Sequence, residues 1–178
     1  EKFGARIEYA TVEAISKEAD GTFKVTTSGG VLEAKTVIIA TGAAPRHLGL
    51  PNEKELIGRG LTSCATCDGA FYRDVPVAVI GGGDSACEEA SFLTRFASKV
   101  YLIHRRDELR ASKIMADRAL ANPKIEPVWN SGVSEYLTND KGEMRAVKLN
   151  NLVDGSEREL EVECVFVAIG HVPNSSFV

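Results

Sequence analysis

The sequence predicts an α/β fold, with a parallel sheet in the middle of the chain and antiparallel ribbons before and after it. Residues 75–106 alternate between an apolar strand, a glycine turn, an amphipathic helix and a second apolar strand. Strand-and-turn patterns occupy residues 6–40 and 133–162. These observations define the fold class, because strands joined by a crossover helix run parallel, whereas strands joined by tight turns run antiparallel.

The composition of the 178-residue chain argues against several classes of partner. Hydrophobic residues make up 44% and charged residues 26%, which is ordinary for a globular protein. The formal net charge of −4 argues against nucleic acid, whose binding usually needs a concentrated basic face. No apolar run approaches the ~20 residues of a membrane-spanning helix, so no membrane partner is expected. The chain begins at Glu1 rather than methionine, which indicates a fragment and leaves a removed leader open.

The first segment predicts a three-stranded β-meander. Strands are expected over residues 6–18, 22–27 and 31–40, with a turn at Asp20-Gly21. The third strand ends in an apolar run that leads into Thr41-Gly42. Residues 43–60 are rich in proline, glycine and charge, and they predict a linker. Three strands without a helix are too few for a stable independent domain.

The central segment predicts a βαβ unit followed by further strands. Its helix is expected from Asp84 to Ala97, because apolar residues recur there on one face at helical spacing. The residues on that face are Ala86, Ala90, Leu93 and Ala97. The other expected elements are strands over 77–80, 100–103, 125–129 and 164–169, a helix over 111–121, and turns at 139–142 and 154–155.

A glycine loop lies between the first strand and the helix of the βαβ unit. Gly81, Gly83 and Ala86 fit the pattern G-x-G-x-x-A, with Asp84 and Ser85 at the intervening positions. The first glycine permits a tight turn, the second lets the backbone approach a pyrophosphate, and the small third residue lets the helix pack on the strand. The helix N-terminus offers free N–H groups to phosphate. A glycine turn without a ligand is the alternative, but the strand-loop-helix context favours a dinucleotide site.

The residues after the second strand indicate which dinucleotide is bound. An NAD site usually carries an acidic residue there, which binds the ribose 2′-hydroxyl. This chain instead has His104, Arg105 and Arg106, with Arg110 one helical turn further on. Arginine suits a 2′-phosphate because its guanidinium has a fixed charge and binds bidentately. The cluster therefore predicts NADPH rather than NADH, the alternative being a solvated group of charges.

Cys64 and Cys67 form a C-x-x-C pair, and Asp68 follows directly. Zinc normally takes four ligands, and the other cysteines and the three histidines add no second pair at metal-binding spacing. Cys87 and Cys164 are expected to be small core residues. A static disulfide is possible, but closing so short a loop stabilises little chain. A redox pair, with Asp68 exchanging a proton with a thiolate during turnover, explains the arrangement better.

The two motifs together predict a third participant. NADPH delivers its electrons as a hydride, whereas a disulfide is opened by nucleophilic attack on sulfur. A flavin is the usual converter between these two kinds of chemistry. We therefore expect a flavin in the intact protein.

Several stretches of the chain, in the same order, resemble low-molecular-weight thioredoxin reductases of the bacterial, fungal and plant type. SCATCDGAFYR is similar to the active-site stretch of that family, VAVIGGGDSACEEASFL to its NADPH phosphate loop, and LIHRRDELRASKIM to its 2′-phosphate site. TVIIATGAAPRHLGLP and FVAIGHVPN resemble the two joints between its FAD and NADPH domains. The resemblance covers most of the chain, and several long motifs in order are more specific than any one of them.

The resemblance implies a role for each site residue. Cys67 would face the flavin and form the charge-transfer thiolate, Cys64 would attack the substrate disulfide, and Asp68 would be the acid/base. The 2′-phosphate would be held by Arg105, Arg106 and Arg110. FAD would lie beside Thr41-Gly42 and the backbone near Val12. The NADPH domain would rotate against the FAD domain about hinges near residues 48–51 and 172–174.

The resemblance also implies a domain organisation. Residues 1–47 would be a partial FAD-binding segment, residues 48–172 an NADPH-binding domain that carries the C-x-x-C pair, and residues 173–178 a return into the FAD domain. The NADPH domain would be Rossmann-like, in three ββα layers with a parallel sheet and a β-meander. The remaining FAD motifs would lie outside this chain, so we expect it to bind little FAD and not to turn over alone. Thioredoxin as the substrate, a homodimer and a cytoplasmic location are the further expectations.

Two alternative functions remain open on the sequence. The flavoprotein subunit of an alkyl hydroperoxide reductase resembles this region, but its C-x-x-C interior is usually bulkier and more polar. The Cys64-Ala65-Thr66-Cys67 stretch and the arginine cluster favour the thioredoxin reductase interpretation. A nucleotide-sensing module without turnover is the second alternative, and it requires a parent protein that lacks the FAD motifs or is inert with disulfides.

Overall fold

The computed structural model describes residues 2–178, which divide into two compact units. The first unit contains the chain up to Ala44 together with Val172–Val178, and the second contains Pro45–His171. Two short strands, β4 (Ala43–Pro45) and β13 (His171–Pro173), pair where the chain passes between the units.

The first unit is built on a three-stranded antiparallel sheet. Its strands are β1 (Val12–Lys17), β2 (Phe23–Thr27) and β3 (Gly30–Ala34), in that spatial order. The turn between β1 and β2 is closed by Asp20, whose carboxylate accepts the N–H of Thr22 at 2.9 Å and its hydroxyl at 2.7 Å. The expected meander is therefore present, although β1 is shorter than the predicted strand over 6–18.

The prediction that the third strand continues to Ala40 is wrong. The strand ends at Ala34, and Ile38 in the apolar run is 92% exposed. A stretch becomes a strand only when a neighbouring strand pairs with its backbone N–H and C=O groups. No such partner for the run is present within residues 2–178.

The second unit contains the parallel sheet. In chain order its elements are α1 (Glu53–Leu56), β5 (Leu61–Thr62), α2 (Ala65–Asp68), a 3-10 turn (Gly69–Phe71), β6 (Pro76–Ile80), α3 (Asp84–Leu93), β7 (Lys99–Ile103), α4 (Lys113–Leu120), β8 (Ile125–Val128), β9 (Ser131–Thr138), β10 (Met144–Asn151), β11 (Glu157–Glu161) and β12 (Cys164–Val167). The parallel sheet has the order β5-β12-β6-β7-β8, and β11-β10-β9 form a separate antiparallel sheet.

The parallel sheet is buried on both faces, which gives the unit three layers. Successive residues of a strand point to opposite faces. Val77 and Val79 of β6 accordingly pack with Ala86, Ala90 and Leu93 of α3. Ala78 and Ile80 pack on the opposite face, in a cluster that includes Tyr136, Val147 and Leu149 of the antiparallel sheet. The structure confirms the predicted α/β class, its parallel sheet and its ββα layers.

Both predicted helices of the central segment are shorter in the structure, and the strand predicted over 164–169 ends at Val167. Helix α3 ends at Leu93 rather than Ala97, although the Ala97 side chain is fully buried as its spacing predicted. Helix α4 covers Lys113–Leu120 rather than 111–121. Among residues 2–178, no helix combines the length and apolarity that crossing a membrane would require.

The description of residues 43–60 as a linker is wrong for its second half. Helix α1 lies there, and both Leu56 and Glu53 are buried. The Glu53 carboxylate accepts the N–H groups of Leu48 at 3.0 Å and Gly49 at 2.7 Å, and the hydroxyl of Tyr136 at 3.2 Å. Three donors compensate the burial of this charge, so a stretch that is polar in sequence becomes part of the core.

Candidate active site

The C-x-x-C pair forms a disulfide at the start of a short helix. Cys64 precedes α2 as its N-cap residue, and its sulfur accepts the N–H of Cys67 at 3.2 Å. Cys64 is half-buried, whereas Cys67 is exposed. The backbone N–H of a helix N-terminus favours a negative charge on sulfur, so a Cys64 thiolate would be stabilised once the bond is reduced.

Asp68 is hydrogen-bonded to Cys64 directly through its backbone, and its side chain is connected to Cys64 through Thr62. Its N–H donates to the carbonyl of Cys64 at 3.1 Å. Its Oδ2 accepts the hydroxyl of Thr62 at 2.5 Å, and the oxygen of that hydroxyl accepts the N–H of Cys64 at 3.2 Å. The carboxylate is therefore held near the backbone of Cys64 through Thr62, and the role of Asp68 as acid/base stays a prediction.

Helix α2 packs against α3, the helix that follows the glycine loop. Ala65 is buried, and Gly69 lies so close to α3 that a Cβ there would be 2.8 Å from Leu93 Cδ2. A cavity of about 310 Å³ lies between them, lined by residues of both segments, including Cys64, Ser85 and Glu89. The disulfide and the glycine loop are thus carried by adjoining elements of one unit.

Glu89 brings a second carboxyl group to this cavity. Its Oε2 atom is buried and has no hydrogen-bond partner among residues 2–178. Burial raises the pKa of Glu89 to about 7, and the charge of Glu88 adds to the shift. No sequence pattern pointed to this residue, because a glutamate is common on a helix whose opposite face packs in a core.

The glycine loop makes a turn that only glycine suits. Gly81 has φ +154°, and a Cβ there would lie 2.5 Å from the carbonyl oxygen of Ala168 and 2.7 Å from Ala86 Cβ. Ala86 is fully buried, so α3 begins close against the sheet. Above Gly83 nothing lies within 4 Å of a Cβ position, which leaves open space over the loop. This geometry fits a pyrophosphate, and the assignment of Gly81, Gly83, Ser85 and Ala86 to one stays a prediction.

His104 and Gly82 form a contact that the sequence did not predict. His104 is 6% exposed, and a Cβ on Gly82 would lie 2.3 Å from its ring atoms. Burial lowers the pKa of His104, and the neighbouring charges of Arg106 and Arg105 lower it further. The lowered pKa favours the neutral imidazole, whose ring packs against the loop at Gly82. Its assignment as a nucleotide ligand stays a prediction.

The arginine segment is hydrogen-bonded to the glycine loop. The N–H groups of Arg110 and Ala111 donate to the carbonyl of Gly82 at 2.6 and 3.0 Å. Asp84 accepts the N–H of Ser112 at 2.7 Å and its hydroxyl at 2.9 Å. The Asp84 carboxylate thus bonds the start of α3 to the arginine segment, and a direct contact of this carboxylate with the nucleotide stays a prediction.

The three predicted arginines are exposed and close to each other in sequence, directly after β7. Among the described residues, none of the guanidinium groups of Arg105, Arg106 and Arg110 lies within ion-pairing distance of a carboxylate. Positive groups without a partner, next to a loop with open space above it, are what an anionic ligand with a 2′-phosphate requires.

The residues predicted to lie beside FAD belong to the first unit. Val12 opens β1, and Gly42 has φ +69°. Thr41 donates its hydroxyl to the carbonyl of Asn174 at 2.6 Å, and the Asn174 side chain donates to the carbonyl of Thr41 at 3.1 Å. The structure thus places Thr41 and Gly42 against the C-terminal residues of the same unit, and their contact with FAD stays a prediction.

The other two cysteines are free and fully buried. Burial raises the pKa of Cys164 to about 12 and also raises the pKa of the Cys87 thiol. Tyr72, which contacts Cys164, also has a raised pKa because it is partly buried. Within the part of the chain that the structure describes, no group of three or more His, Cys, Asp or Glu side chains is placed to hold a metal ion.

A dinucleotide-type glycine loop and a helix-capping disulfide on one α/β unit define the class of nucleotide-linked disulfide oxidoreductases. The chain matches, over residues 1–178, the family described as pyridine nucleotide-disulphide oxidoreductase, and it belongs to that family.

The relatives most informative about the chain within this family are thioredoxin reductases. It is 49% identical over 175 residues to a thioredoxin reductase of Streptomyces coelicolor, covering 98% of this chain and 54% of that protein. It is 49% identical over 177 residues to a bifunctional thioredoxin reductase/thioredoxin of Mycobacterium leprae, covering 99% of this chain and 38% of that protein. The chain thus spans about half the length, or less, of these curated relatives. The resemblance to thioredoxin reductases inferred from the sequence is confirmed.

Solved structures show the same similarity in three dimensions. Lactococcus lactis thioredoxin reductase in its FR conformation superposes with a TM-score of 0.86 at 39% identity, over 99% of this chain and 58% of that chain. Streptococcus pyogenes thioredoxin reductase superposes with a TM-score of 0.82 at 45% identity, over 99% of this chain and 57% of that chain.

Proposed function

We propose that the protein of which this chain is a part is an NADPH-dependent thioredoxin-disulfide reductase. The observation that carries the proposal is the packing of two elements within Pro45–His171. The helix that begins at the disulfide contacts the helix that follows the glycine loop, and both line one cavity. A disulfide beside a dinucleotide loop suits electron transfer from a nicotinamide to a protein thiol pair.

The glycine loop, with open space above it, and the exposed arginines support NADPH, and the chain includes part of the proposed FAD site. NADPH would be held by the glycine loop, the start of α3 and the exposed guanidinium groups of Arg105, Arg106 and Arg110, and it supplies a hydride. FAD would lie beside Val12, Thr41 and Gly42, and it converts the hydride into the electron pair that opens a disulfide. The chain carries part of that second site, so the intact protein is needed for the full reaction.

The cysteine chemistry is proposed from the roles that the resemblance implies for Cys64 and Cys67, and the N-cap position of Cys64 supports it. In the reduced pair, the Cys64 thiolate attacks the substrate disulfide, one substrate sulfur leaves, and a mixed disulfide forms on Cys64. The Cys67 thiolate then attacks the Cys64 sulfur, which releases the second substrate sulfur and restores the Cys64–Cys67 bond. The two electrons and two protons of the dithiol end on the substrate, and Asp68 carries a proton between sulfur atoms.

Thioredoxin is the proposed substrate. The Mycobacterium leprae relative is described as a fusion of thioredoxin reductase and thioredoxin, which supports a protein disulfide as the electron acceptor. A homodimer and a cytoplasmic location stay predictions.

The first test measures NADPH oxidation by the full-length protein, with and without thioredoxin from the same source. We expect thioredoxin-dependent oxidation that disappears in Cys64→Ser, while Cys87→Ala, a change at a buried free cysteine, leaves it within about threefold of the wild type. Flavin reduction by NADPH should persist in Cys64→Ser. Oxidation of NADPH without any dependence on thioredoxin would exclude the proposed substrate and favour a peroxide-linked or sensing function.

A further inference from the structure

We infer that Thr62 is a positioning residue for thiol exchange: its hydroxyl holds the Asp68 carboxylate against the backbone of Cys64, so that a proton passes between Asp68 and the leaving sulfur. The inference rests on the proposed function, because it assigns a role within the same cysteine chemistry. The Thr62 hydroxyl is hydrogen-bonded to Asp68 and to Cys64, and Thr62 acts through them.

The hydrogen bonds around Thr62 connect the carboxyl group to the attacking cysteine. The hydroxyl donates to Asp68 Oδ2 at 2.5 Å and accepts the N–H of Cys64 at 3.2 Å. The N–H of Asp68 donates to the carbonyl of Cys64 at 3.1 Å. Both polar groups of the Cys64 backbone therefore bond to Asp68, one directly and one through Thr62. Loss of the hydroxyl would leave only the direct bond, and the carboxylate would be free to rotate.

Thr62 itself is held by the sheet. It ends strand β5, which pairs in parallel with β12, and Thr62 lies opposite Phe166 in that register. Phe166 is fully buried in the core beneath α3. A rotamer anchored on a sheet gives a more exact position than one on a loop, which is what proton transfer requires.

Other titratable groups near Asp68 do not replace it as the proton carrier. Tyr72 and Cys164 lie close enough that the Asp68 charge contributes to their raised pKa values, and burial is the larger cause for both. The raised pKa values favour the neutral, protonated form of both groups, which does not accept a proton from a cysteine thiol. Glu88 and Glu89 line the cavity on the α3 side of Cys64, and neither is hydrogen-bonded to the cysteine pair.

The proposed step is balanced in atoms and charge. The Cys64 thiol ionises in a rapid equilibrium that water also supports, and Asp68 takes up the proton. The thiolate attacks the acceptor disulfide, so that a Cys64–acceptor bond forms and the acceptor S–S bond breaks. Asp68 then gives that proton to the departing thiolate, which is the step that depends on its position. Cys67 displaces the second acceptor sulfur and its own proton passes to that sulfur, so two electrons and two protons leave the dithiol. An acceptor whose thiolate is a strong base needs the proton, whereas one whose thiolate is a weak base does not.

The test compares two acceptors with the reduced 178-residue chain, so it needs neither FAD nor NADPH. The chain is reduced with dithiothreitol, desalted and mixed with hydroxyethyl disulfide, an alkyl acceptor, or with dithionitrobenzoate, an aromatic acceptor with a weakly basic leaving group. The variants are Thr62→Val, which keeps the shape and lacks the hydroxyl, and Thr62→Ser, which keeps the hydroxyl. Thr62→Ala replaces the valine variant should that variant unfold.

We expect Thr62→Val to slow exchange with the alkyl disulfide by at least about tenfold and exchange with the aromatic disulfide by less than about twofold. Thr62→Ser should restore the wild-type rate with both. In an Asp68→Asn background, Thr62→Val should have no further effect, because the group that it positions is gone.

Three outcomes would overturn the inference. Equal slowing of both acceptors would show a purely structural role. An unchanged alkyl rate would show that the hydroxyl is not needed, and an undiminished effect in the Asp68→Asn background would show that Thr62 acts elsewhere. A wild-type chain that is reduced yet exchanges with neither disulfide would instead overturn the proposed function, which separates the two failures.

Discussion

At the residue scale, the glycine loop shows which features of a site a sequence can reveal. Its pattern predicted the sharp turn at Gly81 and the small residue Ala86, because both follow from local backbone geometry. The contact between Gly82 and His104 could not be predicted, because it joins a loop to the end of the neighbouring strand. The same holds for Glu89, whose buried oxygen depends on how α2 packs against α3.

Gly82→Ala should destabilise the chain by about 1–3 kcal/mol, since the added Cβ would lie 2.3 Å from the His104 ring. Urea unfolding of the chain measures the change. Gly83→Ala is the matched control: its Cβ would meet nothing within 4 Å, so stability should change little while NADPH binding weakens. Equal destabilisation by both changes would contradict the packing described for His104.

Glu89→Gln should stabilise the chain at pH 8 and not at pH 4. Folding raises the pKa of Glu89 from 4.5 to about 7, so the native state holds its proton more tightly than the unfolded state. That contribution is complete below pH 4.5 and is lost as the pH rises through about 7. Thermal unfolding at both pH values tests this, with the exposed Glu55→Gln as control. A variant that is less stable than the wild type at pH 8 would show that the carboxylate has a partner.

The double change Arg105→Ala with Arg106→Ala should weaken NADPH binding by at least about 100-fold and leave NADH binding nearly unchanged. The reason is that the two exposed guanidinium groups are assigned to the 2′-phosphate, which NADH lacks. Calorimetric titration of the chain with each nucleotide measures the effect. Arg118→Ala, which removes an exposed arginine from α4, controls for net charge. Equal losses for both nucleotides would refute the assignment.

At the element scale, the βαβ unit was predictable and the segment around α1 was not. Alternation of an apolar strand, a glycine turn and a helix has few other structural solutions, so the order of the central elements followed from periodicity. Residues 53–56 carry only a short helix whose buried groups include a charge. Their burial depends on donors from Leu48, Gly49 and the distant Tyr136, which no local pattern reveals. The apolar run after Ala34 was predicted to be a strand and is not one, because hydrophobicity alone does not supply a pairing partner.

Glu53→Ala should cost about 2–4 kcal/mol of stability, because two backbone N–H groups and the Tyr136 hydroxyl would lose their acceptor in a buried place. Chemical unfolding monitored by circular dichroism measures the loss. Glu55→Ala, on the same helix and exposed, should change stability by less than about 0.5 kcal/mol. A small effect at Glu53 would mean that water replaces the carboxylate there.

At the scale of the whole molecule, the two units differ in how much of each is buried. In the first unit, every described side chain is exposed or half-buried, whereas the second unit holds both hydrophobic clusters. The sequence predicted this contrast in part, because three strands without a helix cannot enclose a core. The positions of the domain boundaries and their assignment to FAD and NADPH stay predictions.

Backbone amides of the second unit should exchange hydrogen more slowly than those of the first unit, by orders of magnitude. Amides of β6, β7 and β12 are expected to exchange slowest, since their strands are buried on both faces, and amides of β1 to β3 fastest. Mass spectrometry of peptides after timed labelling measures this. Comparable protection in the two units would contradict the burial pattern.

Two of the four cysteines are buried, so thiol labelling of the folded chain reports the redox state of the other two, Cys64 and Cys67. A maleimide added to the folded chain should modify no thiol while the Cys64–Cys67 disulfide is intact, and two thiols once that disulfide is reduced. Cys87 and Cys164 contribute only after unfolding, when they report the total. The adduct mass of a rapidly quenched sample therefore counts the electrons stored on the pair, without a dye, a cofactor or an engineered label.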